Sequence, residues 1–251
     1  MDRYVLITGA TSGIGRATAY AFAEAGYNLA LCARRYEKLE EVRDGLSGMN
    51  VDVDIFALDV RDRDAVNREI GALLERVKHI DVLVNNAGLA RGLSPFQENE
   101  ITDIEEMFDT NVKGLTYVTL AVLPGMLAQN RGHIINIGST AGMVAYSNGS
   151  IYCATKAAVR TFTDGLRLDV MASDIKVTTI QPGIVQTPFS EVRFHGDAER
   201  ASKVYEGIDA LQAEDIANAI VFAASQPKHV QIAEMTIMAT QQGNGFTMVR
   251  K

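Results

Sequence analysis

Cysteine, basic charge and long apolar runs are all scarce in this chain of 251 residues. Its two cysteines, Cys32 and Cys153, are too few for a disulfide framework, which favours a reducing compartment. The formal net charge of −7 disfavours a nucleic-acid partner, which would require a basic face. No apolar run suits a bilayer, and a strand pattern from Tyr4 leaves no room for a signal peptide. We therefore expect a cytoplasmic protein without a membrane partner.

Strand-like and helix-like segments alternate along the chain with short connections. The predicted strands are 4–9, 28–34, 51–60, 81–88, 133–139, 176–183 and 231–239, and the predicted helices are 14–26, 36–46, 63–77, 101–129, one starting at Ser150, and 214–225. Continuous apolar strands between amphipathic helices predict a parallel sheet covered on both faces, in a doubly wound Rossmann-type α/β fold. Without repeats or a linker, residues 1–251 read as one domain. Segment 184–211 lacks clear periodicity and is a candidate substrate lid.

A glycine-rich loop, TGATSGIG, joins the first predicted strand to the first helix. Gly9, Gly13 and Gly15 would let the backbone turn tightly and approach a pyrophosphate at the helix N-terminus. An ordinary glycine-rich turn is the alternative, but the strand before and the helix after favour dinucleotide binding.

The chain, including this loop, resembles the short-chain dehydrogenase/reductase family along its whole length. The motifs that carry the resemblance are the loop from Thr8 to Gly15, Asn85-Asn86-Ala87-Gly88, Pro182-Gly183 followed by Thr187, and a tetrad in the family's order: Asn111, Ser139, Tyr152 and Lys156. The resemblance implies a catalytic role for that tetrad. It also implies cofactor contacts from Gly9, Thr11, Ser12, Gly13, Ile14, Gly15, Asp59, Val60, Asn86, Ala87, Gly88, Tyr152, Lys156, Pro182, Gly183 and Thr187. Asp59 would contact the adenine, and capping of the next helix is its alternative role.

Two arginines after the second predicted strand indicate which dinucleotide binds. Ala33 occupies the position at which an acidic side chain would bind the ribose of NAD, and Arg34 and Arg35 follow it. A guanidinium suits a 2′-phosphate, so we expect NADP(H). Solvated arginines are the alternative, although positive charge is unfavourable at a helix start.

Tyr152 is the one tyrosine of eight with a lysine four residues later. On a helix, Tyr152 and Lys156 share a face. Bringing the tyrosine pKa from ~10 to ~7 requires about 4 kcal/mol, and an ammonium about 4 Å from the phenol supplies roughly that amount at an effective dielectric of about 20. We therefore expect Lys156 to provide much of the shift and oxidised nicotinamide to add to it. Tyr152 would then exchange a proton with the substrate oxygen, and Ser139 would donate a hydrogen bond to it. The resemblance gives Lys156 the nicotinamide ribose and Asn111 a water linking Lys156 to solvent. The predicted site includes no metal ion.

Longer stretches, among them NNAGLARG and SEVRFHGD, resemble the NADP-dependent 3-hydroxy acid dehydrogenases and the sulfoacetaldehyde reductases of this family. That branch implies a small aldehyde or hydroxy substrate that carries an acid group. Arg193 in the candidate lid could bind the acid, or could instead pair with Glu191 or Asp197 at the surface. A reductase of bulkier ketones, such as acyl-carrier substrates, and a non-catalytic NADP-binding sensor remain alternatives.

The C-terminal tail, residues 243–251, carries Phe246 and Met248 on an otherwise polar segment. Relatives in the resembled family form two-fold symmetric tetramers, so we expect a homotetramer. In it, Phe246 would pack near the substrate pocket of a partner subunit. A frayed terminus is the alternative.

Overall fold

The computed structural model describes residues 3–251. Its strands are β1 (Tyr4–Thr8), β2 (Asn28–Ala33), β3 (Val53–Ala57), β4 (Val82–Asn85), β5 (Gly132–Ile137), β6 (Ile175–Pro182) and β7 (Glu234–Ile237). They form one parallel sheet in the order β3-β2-β1-β4-β5-β6-β7. The α/β doubly wound fold expected from the sequence is therefore confirmed.

Helices cover both faces of this sheet. They are α1 (Gly13–Glu24), α2 (Tyr36–Gly45), α3 (Arg63–Val77), α4 (Ile101–Phe108), α5 (Leu115–Gln129), α6 (Ser150–Asp169), α7 (Phe189–Arg193), α8 (Ala198–Lys203) and α9 (Ala213–Ala224). Short 3₁₀ turns occupy Phe96–Glu98 and Thr140–Gly142. Among residues 3–251, no helix combines the length and the apolar character needed to cross a membrane.

Two apolar cores, one on each face, hold the sheet between its helices. In β1 the side chains of Val5 and Ile7 enter one core, with α1 and α9, while Leu6 enters the other, with α3 and α5. This alternation follows from the two-residue period of a strand. Each fully buried aliphatic side chain contributes about 1.5–3 kcal/mol, so a strand apolar at successive positions is stable only between two layers.

The strand order reverses direction at β1, which has β2 on one side and β4 on the other. In doubly wound sheets, the crevice at the carboxyl ends of the strands beside such a point binds the ligand. The loops after β1, β4, β5 and β6 all open at this edge, because the strands are parallel.

Two predicted segments differ from the structure. The expected single helix 101–129 is divided into α4 and α5 by a π-helical turn at Asp109–Gly114. The candidate lid, expected without regular structure, contains α7 and α8, which are too short to show periodicity in the sequence.

Candidate active site

The glycine loop between β1 and α1 has a backbone that only glycines adopt without strain. Gly9 and Gly13 have φ of 67° and 50°. A Cβ on Gly15 would lie 2.4 Å from the Gly9 carbonyl oxygen, so the helix can approach the loop only without a side chain there. Within the described chain, Ser12 begins α1 without a side-chain hydrogen bond to it. The first backbone N–H groups of α1 are therefore free to bind an anion, and the loop fits a pyrophosphate.

The Asn85–Gly88 motif fastens the end of β4 to this loop. The Asn86 side-chain amide donates to the carbonyls of Thr8 and Gly9 at 2.9 and 3.1 Å. The Ala87 N–H donates to the Thr8 hydroxyl at 2.9 Å. Since these bonds cross the sheet from β4 to β1, they set the floor of the crevice at the strand-order reversal.

The Pro182-Gly183 turn and Thr187 bring the start of the lid to the same loop. Pro182 ends β6, and the Gly183 N–H donates to the Ile237 carbonyl at 2.7 Å. A Cβ on Gly13 would lie 3.2 Å from the Thr187 side chain, so Thr187 borders the phosphate loop.

Tyr152 and Lys156 lie one turn apart on α6, as their spacing predicts. Lys156 is 6% exposed, and its Nζ donates to the Ile137 carbonyl at 2.8 Å. Burial disfavours the charged form and lowers the Lys156 pKa to about 8. The lysine Nζ is 5.9 Å from the centroid of the Tyr152 ring.

The electrostatic setting of Tyr152 corrects the expectation that Lys156 lowers its pKa to about 7. Burial raises the pKa of Tyr152 and the neighbouring Tyr146 raises it further, while Arg193 and a hydrogen bond with Ser139 oppose the rise. Lys156 directs its ammonium to a backbone carbonyl instead. Ligand-free Tyr152 is therefore a phenol, the form that donates a proton.

Ser139 follows β5 and faces the same cleft. Its hydroxyl oxygen accepts from the Ala141 N–H at 3.1 Å and begins the 3₁₀ turn Thr140–Gly142. Because the oxygen is held as an acceptor, its proton is directed away from the turn and can be donated.

Asn111 is held in the π-helical turn between α4 and α5. Its side-chain oxygen accepts from the Leu89 N–H at 2.8 Å, and its amide donates to the Leu89 carbonyl at 2.8 Å and to the Thr155 hydroxyl at 3.0 Å. A Cβ on Gly88 would lie 3.2 Å from the Asn111 oxygen and 3.5 Å from the Lys156 Nζ, so the three residues converge. Both amide protons are used by protein partners, which leaves only acceptor positions for the predicted water.

Arg34 and Arg35 lie at the far end of the crevice, after β2. Arg35 donates to the Thr11 hydroxyl of the glycine loop at 3.4 Å. Arg34 lies 3.6 Å from the Glu106 carboxylate and its side chain is 55% exposed. The Arg35 guanidinium is therefore close to the loop that fits the pyrophosphate, and Arg34 faces α4.

Asp59 lies two residues beyond β3 and does not cap α3, whose cap is Asp62. Its carboxylate binds Arg61 at 2.6 Å. Burial raises the Asp59 pKa, but the hydrogen bonds and charge of Arg61 outweigh it and hold the pKa below its ordinary value. Val60 packs on the π turn, since a Cβ on Gly114 would lie 2.6 Å from its side chain. Contact of Asp59 with adenine stays a prediction.

Arg193, at the end of α7, is placed beside the tetrad. Its guanidinium carbon is 5.1 Å from the centroid of the Tyr152 ring and 5.2 Å from that of Phe189. It donates to the Tyr146 hydroxyl at 3.1 Å, and its Nε is buried without a hydrogen-bond partner within residues 3–251. In that same range it has no carboxylate partner, so the alternative pairing with Glu191 or Asp197 is wrong.

The tail folds onto its own chain. The Phe246 ring stacks on Tyr146 with centroids 4.7 Å apart and an interplanar angle of 16°. Gln242 and Met248 form an antiparallel bridge, and the Lys251 N–H donates to the Gly207 carbonyl at 2.9 Å. Phe246 is thus near the Arg193 cleft of its own subunit, and its packing near the pocket of a partner subunit stays a prediction. The tail is not frayed.

Three residues of this region were missed by the sequence reasoning. Tyr146 holds Arg193, and Arg91 and Glu106 form an ion pair at 2.7 Å beside the lid. Tyr146 lies in a loop and Glu106 on a short helix, so neither has a spacing signal. Gly149 is one hint, because a Cβ there would lie 2.0 Å from the Tyr146 ring.

Comparison with known proteins agrees with this geometry. The family model for short chain dehydrogenases matches residues 3–198. The NADP-dependent 3-hydroxy acid dehydrogenase YdfG of Salmonella typhi is 49% identical over 98% of this chain and 99% of its own length. Sulfoacetaldehyde reductase 2 of Chromohalobacter salexigens is 44% identical over 96% of each. A closed form of serine dehydrogenase complexed with NADP+ superposes with a TM-score of 0.93 at 43% identity, over 99% of both chains. The chain belongs to the short chain dehydrogenase family.

Proposed function

We propose that this protein is an NADP-dependent oxidoreductase that interconverts small acid-bearing aldehydes and hydroxy acids. The observation that carries the proposal is that a proton donor, Tyr152, lies beside a guanidinium, that of Arg193. Arg193, without a carboxylate partner in the described chain, is 5.1 Å from the Tyr152 ring. A substrate whose oxygen reaches Tyr152 therefore brings its acid group, a few atoms away, to a guanidinium.

The names of the relatives support this substrate class. The three relatives act, by their names, on 3-hydroxy acids, sulfoacetaldehyde and serine. All of these are small and carry a carboxylate or sulfonate close to the reacting carbon. A guanidinium binds either group with charge-assisted hydrogen bonds. A reductase of bulkier ketones would not need this guanidinium, and a non-catalytic NADP-binding sensor would not need the tetrad.

NADP(H) fits the other half of the crevice. Arg34, Arg61 and the carboxylates of Asp59 and Glu106 are joined in one network, and Arg35 donates to Thr11 of the glycine loop. Three guanidiniums against two carboxylates leave one positive charge, which favours a 2′-phosphate. NADP-dependent relatives and a neighbour solved with NADP+ support the same cofactor.

The side chains would divide the work as follows. NADP(H) supplies or accepts the hydride when bound. Tyr152 donates its phenolic proton to the substrate oxygen during reduction and takes it back during oxidation. Ser139, whose oxygen is held by Ala141, donates a hydrogen bond to the same oxygen. Lys156 binds the nicotinamide ribose, and Asn111 holds the loop after β4 in place through Leu89. Arg193 orients the acid group.

Assembly as a cytoplasmic homotetramer is also proposed. Leu120 and Leu127 on α5 and Leu168 on α6 are 71%, 46% and 68% exposed, and Met171 just beyond α6 is 78% exposed. We infer that these exposed apolar side chains contribute to subunit interfaces. Light scattering tests the proposal, since a monomer mass would contradict it.

The function is tested with purified protein and NADPH. Turnover is compared for sulfoacetaldehyde, malonic semialdehyde and neutral propanal, and oxidation of L-serine is followed with NADP+. We expect kcat/KM to be higher for the acid-bearing substrates. Arg193→Met should reduce that preference by about 10- to 100-fold, the effect of a lost charged hydrogen bond.

The matched control is Arg200→Met, since Arg200 is also an arginine of the lid but stacks on Phe194. It should leave the preference unchanged. Equal kcat/KM for propanal and the acids in the unmodified protein would refute the substrate class.

A further inference from the structure

Arg91, in the loop after β4, lies between α4 and the end of α7. Its Nε donates to the Glu106 carboxylate at 2.7 Å, and a second guanidinium nitrogen donates to the Val192 carbonyl, one residue before Arg193. The Arg91 and Glu106 side chains are only 16% and 18% exposed. A single planar guanidinium therefore bridges a helix to the lid with two hydrogen bonds of fixed direction.

The same loop and helix contact the lid at two flanking points. The Gly92 N–H donates to the Arg193 carbonyl at 2.9 Å. His195 Nε2 lies 3.0 Å from the Asp103 carboxylate. Asp103 and Glu106 are three residues apart on α4 and so share a face. The backbone of residues 192–195 is held against α4 on either side of Arg193.

The side chain of Arg193, in contrast, has one hydrogen bond, to Tyr146. Where its guanidinium lies relative to Tyr152 therefore depends on where its backbone is fixed. Misplacement of a substrate-orienting group by 1 Å can cost about 100-fold in rate. Exposed ion pairs contribute little, but the Arg91–Glu106 pair is largely shielded from water, and a second nitrogen of the same guanidinium binds the Val192 carbonyl.

We propose that Arg91, anchored by Glu106, is a positioning residue for the acid-binding Arg193. The proposal rests on the proposed function, in which Arg193 binds the acid group. Arg91 itself touches neither substrate nor tetrad. It holds α7 so that the distance between Arg193 and Tyr152 matches the length of a small hydroxy acid.

A double-mutant cycle tests this role with two alcohols of equal chain length. 3-Hydroxypropanoate carries the acid, and propane-1,3-diol replaces it with a neutral group. For each protein, kcat and KM are measured with NADP+ on both. We expect Arg91→Met to raise KM for 3-hydroxypropanoate about tenfold and leave the diol within twofold. In an Arg193→Met background, Arg91→Met should have no further effect on the acid-to-diol ratio, because both changes remove one interaction.

The outcomes distinguish failure of the positioning role of Arg91 from failure of the proposed function. Loss of the ratio in Arg193→Met but not in Arg91→Met overturns the positioning role and leaves the proposed function intact. Effects that multiply in the double variant also overturn it. No change in either single variant overturns both. Equal losses on acid and diol would mean that Arg91 only supports the fold.

Three further variants complete the test. Arg91→Lys, which can reach one partner but not both, should restore part of the preference. If Arg91→Met does not fold, Glu106→Gln removes the charge that anchors Arg91, and the same ratio is measured. Arg63→Met is the control, since within residues 3–251 Arg63 pairs only with its neighbour Asp64, and its side chain is 67% exposed. Its ratio should equal that of the unmodified protein.

Discussion

The Tyr152–Lys156 pair and the arginines after β2 lie along one crevice but differ in their exposure to water. Lys156 is 6% exposed, whereas the Arg34 side chain is 55% exposed. Burial shifts the pKa of both Tyr152 and Lys156, so the protein matrix sets their chemistry. Water screens the charge of Arg34, and its contribution has to come from direct contact with an anion. Burial therefore sets the reactivity of Tyr152 and Lys156, whereas the choice of cofactor depends on direct contact between Arg34 and the phosphate.

Tyr152→Phe tests the buried side of this comparison and has the largest expected effect. It keeps the ring and removes the proton, so kcat should fall at least about 100-fold, as for loss of a general acid. NADPH affinity, measured by fluorescence titration, should stay within twofold. Near-normal turnover would refute the proposed mechanism.

Lys156→Met sharpens the comparison by separating activity from stability. The folded-state pKa of about 8 lies below the ordinary 10.5, so the folded protein is penalised for holding a buried charge at pH 7. The variant lacks that penalty, which is at most roughly 3 kcal/mol and is reduced by about 1 kcal/mol for the lost bond to Ile137. We expect an inactive variant whose free energy of unfolding at pH 7 is higher by about 2 kcal/mol.

The sign of the pH dependence follows from the same pKa. Between pH 8 and 10.5 the folded state releases this proton before the unfolded state does, so the penalty in the unmodified protein fades as pH rises. The stability difference, measured by urea unfolding at pH 7 and 9.5, should therefore shrink at the higher pH. A difference that grows would contradict the assignment.

Arg34→Ala tests the exposed side and has the smallest expected effect. Loss of a charged hydrogen bond to the 2′-phosphate should weaken NADPH by about 1.5–2 kcal/mol, roughly 10- to 30-fold, and barely alter NADH. Isothermal titration with both cofactors measures it. Equal weakening of the two would make Arg34 a structural residue, and the alternative phosphate ligand would be Arg35, which already contacts Thr11.

The fold and the buried side of the site were largely predictable from the sequence. Apolar strands, the glycine loop and the spacing of Tyr152 and Lys156 are local patterns, and each element follows from its own residues. The helix that carries Tyr152 and Lys156 begins at Ser150, as expected. The relatives and the family model confirm the family that these motifs indicated.

The lid and its supports were not predictable in the same way. Arg91 and Glu106 are fifteen residues apart and meet through the packing of a loop on a short helix. Phe246 meets Tyr146 across a hundred residues of chain. Such contacts leave no periodicity. The pKa of Tyr152 was also misjudged, because spacing gives the direction of Lys156 along a helix but not the Ile137 carbonyl that accepts its hydrogen bond.

The π-helical turn at Asp109–Gly114 makes Asn111 depend on a count of residues as well as on its own side chain. A turn closed by i to i+5 bonds holds one residue more than an α-helical turn. Removing one of its other residues would restore a regular α-helix and abolish the bulge that carries Asn111, and Asn111 would then leave Leu89. For redesign, the length of this helix is as much a part of the site as its tyrosine: an idealised helix would be more regular and would not hold this contact.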